Sequence, residues 1–463
     1  MCEGKSVNPV GDARPQHSSN NGDYGERSYD VLSPEIKRSY VRKMDLWLLP
    51  FLTIMYFFNA IDRTNLGNAQ TDRMGTALGF MGEQYSILIL FFYIPNGLFD
   101  LPLNLLTKRF LARVMLPTLM TGWGAMSLIQ AGCKSFAPLL VVRLILAALL
   151  AGAFSGLLSF GVFQISHPYV QGWRWLFIIE GALTVIFGVV AFWWLPASPQ
   201  TTWFLKPEER EVARLRSLRD GSNAVGEEFN FKESFRSWKD WKFTLWCIIS
   251  FTYPVAFATT ANVLPLILQR FGYSTVITNL LTLPPNVCGF LVLLAVTYSS
   301  DRQRERTFHI VGSLALSLTG FIILACLSDQ APHRVAVGYF ACFLLTSGAY
   351  IPSCLVHSWH NNNNLSENSR AATTGLLVGL GNLGGVLSAT TFRTAYAPRY
   401  IPTLAATAGC NVVCIFFTLW MGLWPRRDNR RRDKEQGVVL KAEQVNTQHL
   451  ADGANDPSWR WFL

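Results

Sequence analysis

The feature that most constrains this chain is a recurrence. Stretches of about 20 residues with almost no charge return along its length, and each is long enough to cross a bilayer. They fall at 46–66, 85–106, 115–131, 138–163 and 173–195, then at 244–267, 279–298, 308–327, 335–359, 372–392 and 402–424. In hydrocarbon every backbone N–H and C=O needs an internal partner, so such stretches fold as helices. The expectation is an all-α integral membrane protein with about 11 apolar spans, embedded in the lipid bilayer.

Charge is scarce and segregated. Only 15% of residues are charged, against about 25% in a soluble domain. The net charge of +10 does not point to nucleic acid, because the Lys and Arg sit beside apolar spans, as the positive-inside bias predicts. The nine cysteines are scattered, with Cys247, Cys288, Cys326 and Cys342 inside apolar stretches. They form no metal spacing and no disulfide framework, so no metal and no cofactor is expected. The chain lacks the Gly-x4-Gly-Lys-Ser/Thr phosphate loop, which excludes ATP-driven transport by this chain. With no nucleophile elbow and no His-Glu-x-x-His zinc motif, it does not read as an enzyme.

The polar segment 196–242 divides five apolar stretches from six. It carries nine Lys/Arg, from Lys206 to Lys242. Pro207 suits a first helical turn, and Glu208, Glu209 and Glu211 lie at its positive end. The divisions are a disordered cytosolic N-tail (1–43), an incomplete N-terminal helical bundle (44–195), a central cytosolic loop (196–242), a C-terminal six-helix bundle (243–425) and a basic cytosolic C-tail (426–463). Residues 1–35 show no secretory signal.

Loop charges set the sides and expose a conflict. The tails, 107–114, 196–242 and 299–307 carry Lys/Arg clusters and belong on the cytosolic side. An even number of crossings must then separate 107–114 from the divider. The stretches 115–131 and 173–195 supply two, so 138–163 must cross twice or not at all. Two crossings need about 40 residues, more than that stretch holds.

Some residues in the spans are costly there. A charge inside a membrane helix costs roughly 2.5–3.5 kcal/mol on insertion scales and defaults to a functional hypothesis. Asp62 and Arg63 close an apolar run. Arg63 would attract a carboxylate through a forked contact, and Asp62 would be a proton-titrating partner. The alternative is an interfacial pair that fixes the helix end. Glu180 lies within its span, six positions from Arg174, off the spacing that places helix neighbours on one face. Its partner is therefore expected on another helix, as a structural pair or a proton-coupling group. Tyr56 and Asn59, a turn apart, and Asn382, within the glycine-rich run Gly375 to Gly385, are substrate-binding candidates. The glycines themselves suit close helix packing. Pro254, Pro284 and Pro285 are expected to kink the first two spans after the divider.

Several motifs in order then suggest a family. They are Asp62-Arg63-Thr64-Asn65-Leu66-Gly67-Asn68-Ala69, Asp100-Leu101-Pro102-Leu103-Asn104-Leu105, Gly172-Trp173-Arg174-Trp175-Leu176-Phe177, and Phe204-Leu205-Lys206-Pro207-Glu208-Glu209-Arg210. Ser300-Asp301-Arg302, Gly381-Asn382-Leu383-Gly384-Gly385 and Ala397-Pro398-Arg399-Tyr400 follow. The chain resembles the fungal anion:cation symporter branch of the major facilitator superfamily, the allantoate, nicotinate and pantothenate permeases, over about 36–425.

The resemblance implies a major facilitator fold, twelve spans in two bundles, with the substrate near the midplane between them. Its function would be proton-coupled uptake of a small organic anion, a carboxylate, by alternating access. The partners would be that substrate, protons and lipid, and the protein would act as a monomer, in the plasma membrane. Arg143-Leu144-Ile145-Leu146 looks like the start of the family's fourth helix and Ala151-Gly152-Ala153-Phe154-Ser155-Gly156-Leu157 like the second half of the fifth, so helices 4 and 5 are fused by an internal deletion. This accounts for the parity conflict. Arg143 would contact substrate, with snorkelling to the interface as the alternative. Relatives place a glutamate seven residues after that arginine; here the position is Leu150, and its proton-coupling role does not transfer. The run Asp301-Arg302-Gln303-Arg304-Glu305-Arg306 resembles the superfamily's cytosolic gating loop, with Asp301, Arg302 and Arg306 as its working residues. Two other readings stay open: export of a small secondary metabolite, and a non-transporting or degenerate membrane protein.

Overall fold

A computed structural model describes residues 33–71, 74–82, 84–149, 172–196, 201–219, 229–269, 277, 280–327, 333–391, 396, 399–440, 442, 445 and 456–463. Helix α1 (Pro34–Lys43) passes through a π turn (Met44–Leu48) into α2 (Leu49–Thr71), followed by the short α3 (Met74–Ala77). Next come α4 (Gln84–Phe110), α5 (Ala112–Ala131), α6 (Phe136–Leu149) and α7 (Gly172–Trp194). The central segment contributes α8 (Pro207–Arg219), α9 (Phe231–Ser234) and a 3-10 turn (Arg236–Lys239). The second half holds α10 (Trp241–Gln269), α11 (Leu283–Gln303), α12 (Thr307–Cys326), α13 (Arg334–Ala349), α14 (Ile351–Asn362), α15 (Glu367–Thr391) and α16 (Ile401–Gln436). Among the described residues there is no strand.

Among the described residues, seven helical stretches are both long and apolar enough to cross a membrane, six of them in the second half. The first-half helices α2, α4 and α5 have 23, 27 and 20 residues. At about 1.5 Å per residue each can span about 30 Å, and two of them carry polar residues within that length. Asn59, Asp62, Arg63, Asn65 and Asn68 lie on α2, and Asn96, Asp100 and Asn104 on α4. The expected stretch 138–163 is described only as far as Leu149, within a 14-residue helix. The rest of it, with Leu150 and the fusion point, lies outside the described residues.

The outer faces suit a bilayer. On α11 the exposed side chains Val287, Phe290, Leu291, Leu294 and Tyr298 recur at three and four, which lines them along one side. An apolar stripe of that size is stable against lipid and not against water. Tryptophans gather at the end of the first half where α2 begins and α7 ends. The Trp194 indole N–H donates to the Trp47 carbonyl at 3.3 Å and the Trp203 indole to the Trp194 carbonyl at 3.2 Å. This is the interfacial level that amphipathic rings prefer.

Pro284 and Pro285 open α11, where a missing N–H costs nothing, and α10 continues through Pro254 from Trp241 to Gln269. A break between helices falls between α13 and α14 at Tyr350, just before Pro352.

The central segment is tied down. Burying the Tyr40, Leu205, Val212 and Ala213 side chains holds α1 against α8 and its approach. Buried Glu209 accepts from Ser39 Oγ at 2.6 Å, Lys43 Nζ at 2.7 Å and the Lys206 N–H at 2.8 Å. Its burial works to raise the carboxyl pKa, but the Lys43 and Ser39 hydrogen bonds, the Lys206 amide and the Lys43 charge outweigh it and hold it below the ordinary value.

Candidate functional site

The two halves meet along α4 and α15, and the sequence explains how closely. Gly375, Gly379 and Gly385 line the α4 side of α15, while Gly381 and Gly384 lie over α10. At Gly97 of α4 the fit is backbone to backbone: a Cβ there would lie 2.8 Å from the Gly379 carbonyl oxygen and 2.9 Å from Leu383 Cγ. Only glycine allows that approach. Val386 of α15 packs against the first half's core, which includes Phe92, Tyr93 and Leu146.

One polar contact sits in this seam. The Asn382 amide donates to Asp100 Oδ2 at 2.7 Å and lies 3.5 Å from Asn96 Oδ1. Asn382 and Asn96 are 8% and 2% exposed, so the pair joins the halves across a mostly dry surface. A hydrogen bond to a carboxylate there is worth about 1.5–3 kcal/mol. Asn382 was a sequence candidate. Asp100 was visible only as a member of the Asp100-Leu101-Pro102 run, and nothing local marked it as a partner 282 residues away.

Arg143 lies on α6, 2% exposed, with its guanidinium 4.8 Å from the Phe92 ring centre on α4. A cation that deep over an aromatic face gains about 2 kcal/mol or more once desolvated. Glu180 of α7 is 1% exposed, beside Gly181, which packs against Gly124 and Leu128 of α5. Arg174 turns away from it: its guanidinium caps the end of α5 through the Ala131 carbonyl and, at 3.0 Å, the Cys133 carbonyl. Tyr56 is on α2 and exposed. Asn59, Asp62 and Arg63 share that helix, but their side chains lie outside the described residues.

The second half adds polar groups that sequence reading passed over. The Tyr253 hydroxyl and His357 Nε2 are 2.9 Å apart, and the Tyr350 hydroxyl donates to Asn286 Oδ1 at 3.2 Å. Thr259 bonds Ser388 and Thr407, each at 2.9 Å, tying α10 to α15 and α16. Inter-helix hydroxyls of this kind act as glue. Among the described residues no group of three or more His, Cys, Asp or Glu could hold a metal.

The turn between α11 and α12 is a network. Asp301, exposed, pairs with Arg306, which also donates to Ser300 Oγ at 3.0 Å. Arg304 takes the left-handed conformation at φ 53° and lets the chain reverse. Glu305 caps α12 by accepting the Phe308 N–H at 3.0 Å and pairs with Arg426 of α16 at 2.7 Å. Arg302 is exposed. Asp301 and Arg306 are thus brought together, while the capping falls to Glu305.

Membrane-length helices in two halves, with a glycine seam and buried charge near it, define a polytopic membrane transporter. The Major Facilitator Superfamily profile matches residues 144–389. Over 466 aligned positions the chain is 52% identical to the major facilitator-type transporter hxnP of Emericella nidulans, covering 93% of this chain and 94% of that one. It is 44% identical to the MFS-type transporter efuF of Hormonema carpetanum over 461 positions, 92% of each chain. The solved structure of the proton:xylose symporter XylE superposes with a TM-score of 0.60 at 14% identity, covering 82% of this chain and 96% of that one. The chain belongs to the Major Facilitator Superfamily. It is a multi-pass membrane transporter with fungal relatives, and not an enzyme.

Proposed function

We propose that this chain is a proton-coupled carrier of a small organic anion, a carboxylate, of the allantoate, nicotinate and pantothenate permease type, working by alternating access in the plasma membrane as a monomer. The observation that carries the anion reading is Arg143, a guanidinium 2% exposed in the first half and stacked on Phe92. A buried membrane arginine is costly and persists where it works, and its planar fork matches a carboxylate. Tyr56, Asn59, Arg63 and Asn382 complete the binding set, Asp62 and Glu180 carry the proton, and Asp301, Arg302 and Arg306 gate the cytosolic side. The bundle at 44–195 and the bundle at 243–425 rock about the α4–α15 seam.

The reading includes a deletion across helices 4 and 5. The alignment to hxnP runs 466 positions while covering 93% of a 463-residue chain, so it includes positions this chain lacks. That supports a shortened first bundle, and it keeps the non-transporting form as the second reading; export of a small metabolite is the third.

The experiment is uptake of labelled nicotinate, allantoate and pantothenate into vesicles holding the purified chain, with and without an imposed proton gradient. Gradient-dependent uptake of one of them supports the reading, and uptake unmoved by collapse of the gradient removes the coupling. Outward accumulation favours the exporter. No flux of any of them, alongside flux through a form carrying extra residues between Ala147 and Ala151, assigns the degenerate reading.

A further inference from the structure

The cytosolic end of the second half carries a built peptide-binding site, and the chain's own residues 456–463 fill it. Two asparagines do the gripping. Asn429 of α16 donates to the Trp461 carbonyl at 3.0 Å and accepts the Trp461 N–H at 2.9 Å. Asn363, just past α14, donates to the Phe462 carbonyl at 3.1 Å and accepts the Phe462 N–H at 2.9 Å. Each amide thus satisfies both backbone groups of one residue, the way a sheet edge holds a strand, and successive residues are held from two different helices.

Side chains add selectivity. The Trp461 indole donates to Asp428 Oδ2 at 2.9 Å, stands 5.7 Å from the Trp424 ring, and receives the Lys242 ammonium 4.3 Å from its own centre. Arg460, with no exposed surface, reaches Asp433 and Gln436, each at 2.8 Å. A fully buried arginine met by a carboxylate and an amide is a specific pocket and not a solvated tail. Trp459 is also fully buried.

The site reaches the α11–α12 turn. The Arg306 N–H donates to the Leu463 main-chain oxygen at 2.9 Å, and the Trp359 indole to the Phe462 carbonyl at 2.9 Å. The same Arg306 holds Asp301 and Ser300. We propose that residues 456–463 form an intramolecular latch, an aromatic and basic peptide ligand docked between α14 and α16, and that docking fixes the 300–306 turn to both helices. Undocking removes the Arg306–Leu463 tie and leaves the turn held to α16 by the Glu305–Arg426 pair, so anything that removes the peptide from the groove loosens that cytosolic gate.

The test is hydrogen exchange on the full chain in lipid discs, which needs no substrate and so stands apart from the proposed transport activity. Trp461→Ala and Asn429→Ala break the same contact from its two sides. Each is expected to speed exchange at 300–306 and 359–363 about tenfold, and the double variant to do no more than either alone. Unchanged exchange within α12 and α13 reports an intact fold. The proposal is overturned if 456–463 exchanges in the parent as fast as unstructured chain. It is equally overturned if either variant undocks the segment while exchange at 300–306 stays at the parent rate.

Discussion

Gly97→Ala tests the seam on which the halves meet. A Cβ at Gly97 would sit 2.8 Å from the Gly379 carbonyl oxygen, where carbon and oxygen ordinarily stop at about 3.3 Å. The shortfall is about 0.5 Å. Leu383, at 2.9 Å, can turn aside, but the carbonyl belongs to the α15 backbone and cannot. One helix must move, and overpacking of this kind costs about 1–3 kcal/mol. Against that, alanine gains about 0.8–1.0 kcal/mol over glycine in a helix. Gly409 on α16 isolates the clash, because a Cβ there meets nothing within 4 Å. Gly409→Ala receives the propensity gain alone and should raise stability by about 1 kcal/mol. Gly97→Ala should fall about 1–3 kcal/mol below it. The assay is thermal unfolding in detergent followed by the native fluorescence of the 15 tryptophans, with all three proteins measured together. Equal shifts for the two alanine variants would refute the close backbone approach of α4 and α15, and with it the hinge.

Other outcomes follow from single contacts. Asn382→Ala removes the 2.7 Å donor to Asp100 and should cost about 1.5–3 kcal/mol in the same assay, and an unchanged midpoint would count against that bond. Arg143→Lys keeps the charge but loses the planar fork and its stack on Phe92; uptake of a carboxylate should drop at least about tenfold with membrane insertion unchanged, and full uptake would sink the anchoring role. Glu209 is held ionised by Lys43 and Ser39, so its contribution is complete above the ordinary glutamate value of about 4.3. That contribution is lost as pH falls through the lower native value. Limited proteolysis near α8 should accelerate below that range in the parent. In Glu209→Gln it should be fast already at neutral pH, and a parent-like profile for Glu209→Gln would count against the clamp.

How legible was all this in the sequence? Of the eleven apolar windows read from the sequence, the described residues bear out seven stretches as long, apolar helices, because burial in lipid is read residue by residue. The windows misjudged ends, because hydropathy reports lipid contact and not helicity. The stretch 402–424 is one part of a helix that runs to Gln436, carried past the membrane by Asp428 pairing with Arg431 and Arg432 at three and four residues. Contacts within a turn, such as Asp301 with Arg306, lay within sequence reach. The Asp100–Asn382 bond and the cap supplied by Glu305 did not, since charge and spacing name residue types and not the helix that arrives opposite them. The C-terminal segment reads as a basic cytosolic tail, and Trp459, Trp461 and Phe462 are the sequence signal for the burial seen there.

The contacts made by α1, α8 and the α11–α12 turn also bear on how the two halves can move. In the first half, α1 and α8 are locked together through Glu209, Lys43 and Ser39. In the second, the α11–α12 turn is bound to α16 through Glu305 and Arg426 and to residues 456–463 through Arg306. Each set binds elements on its own side of the seam, so these ties stiffen the halves without joining them. Among the described residues the halves meet along the α4–α15 seam, where glycines bring backbones together and the Asn382 amide meets the Asp100 carboxylate. A seam of glycines presents few interdigitated side chains that would have to unlock for one helix to roll on the other. The polar bond at Asn382 then sets the register of that roll, since an amide and a carboxylate in a nearly dry surface lose most of their exchange for water when they part. Rocking of two stiff bodies about a smooth, pinned line is the motion this distribution of contacts favours, and it requires that ties within each half outlast those between them.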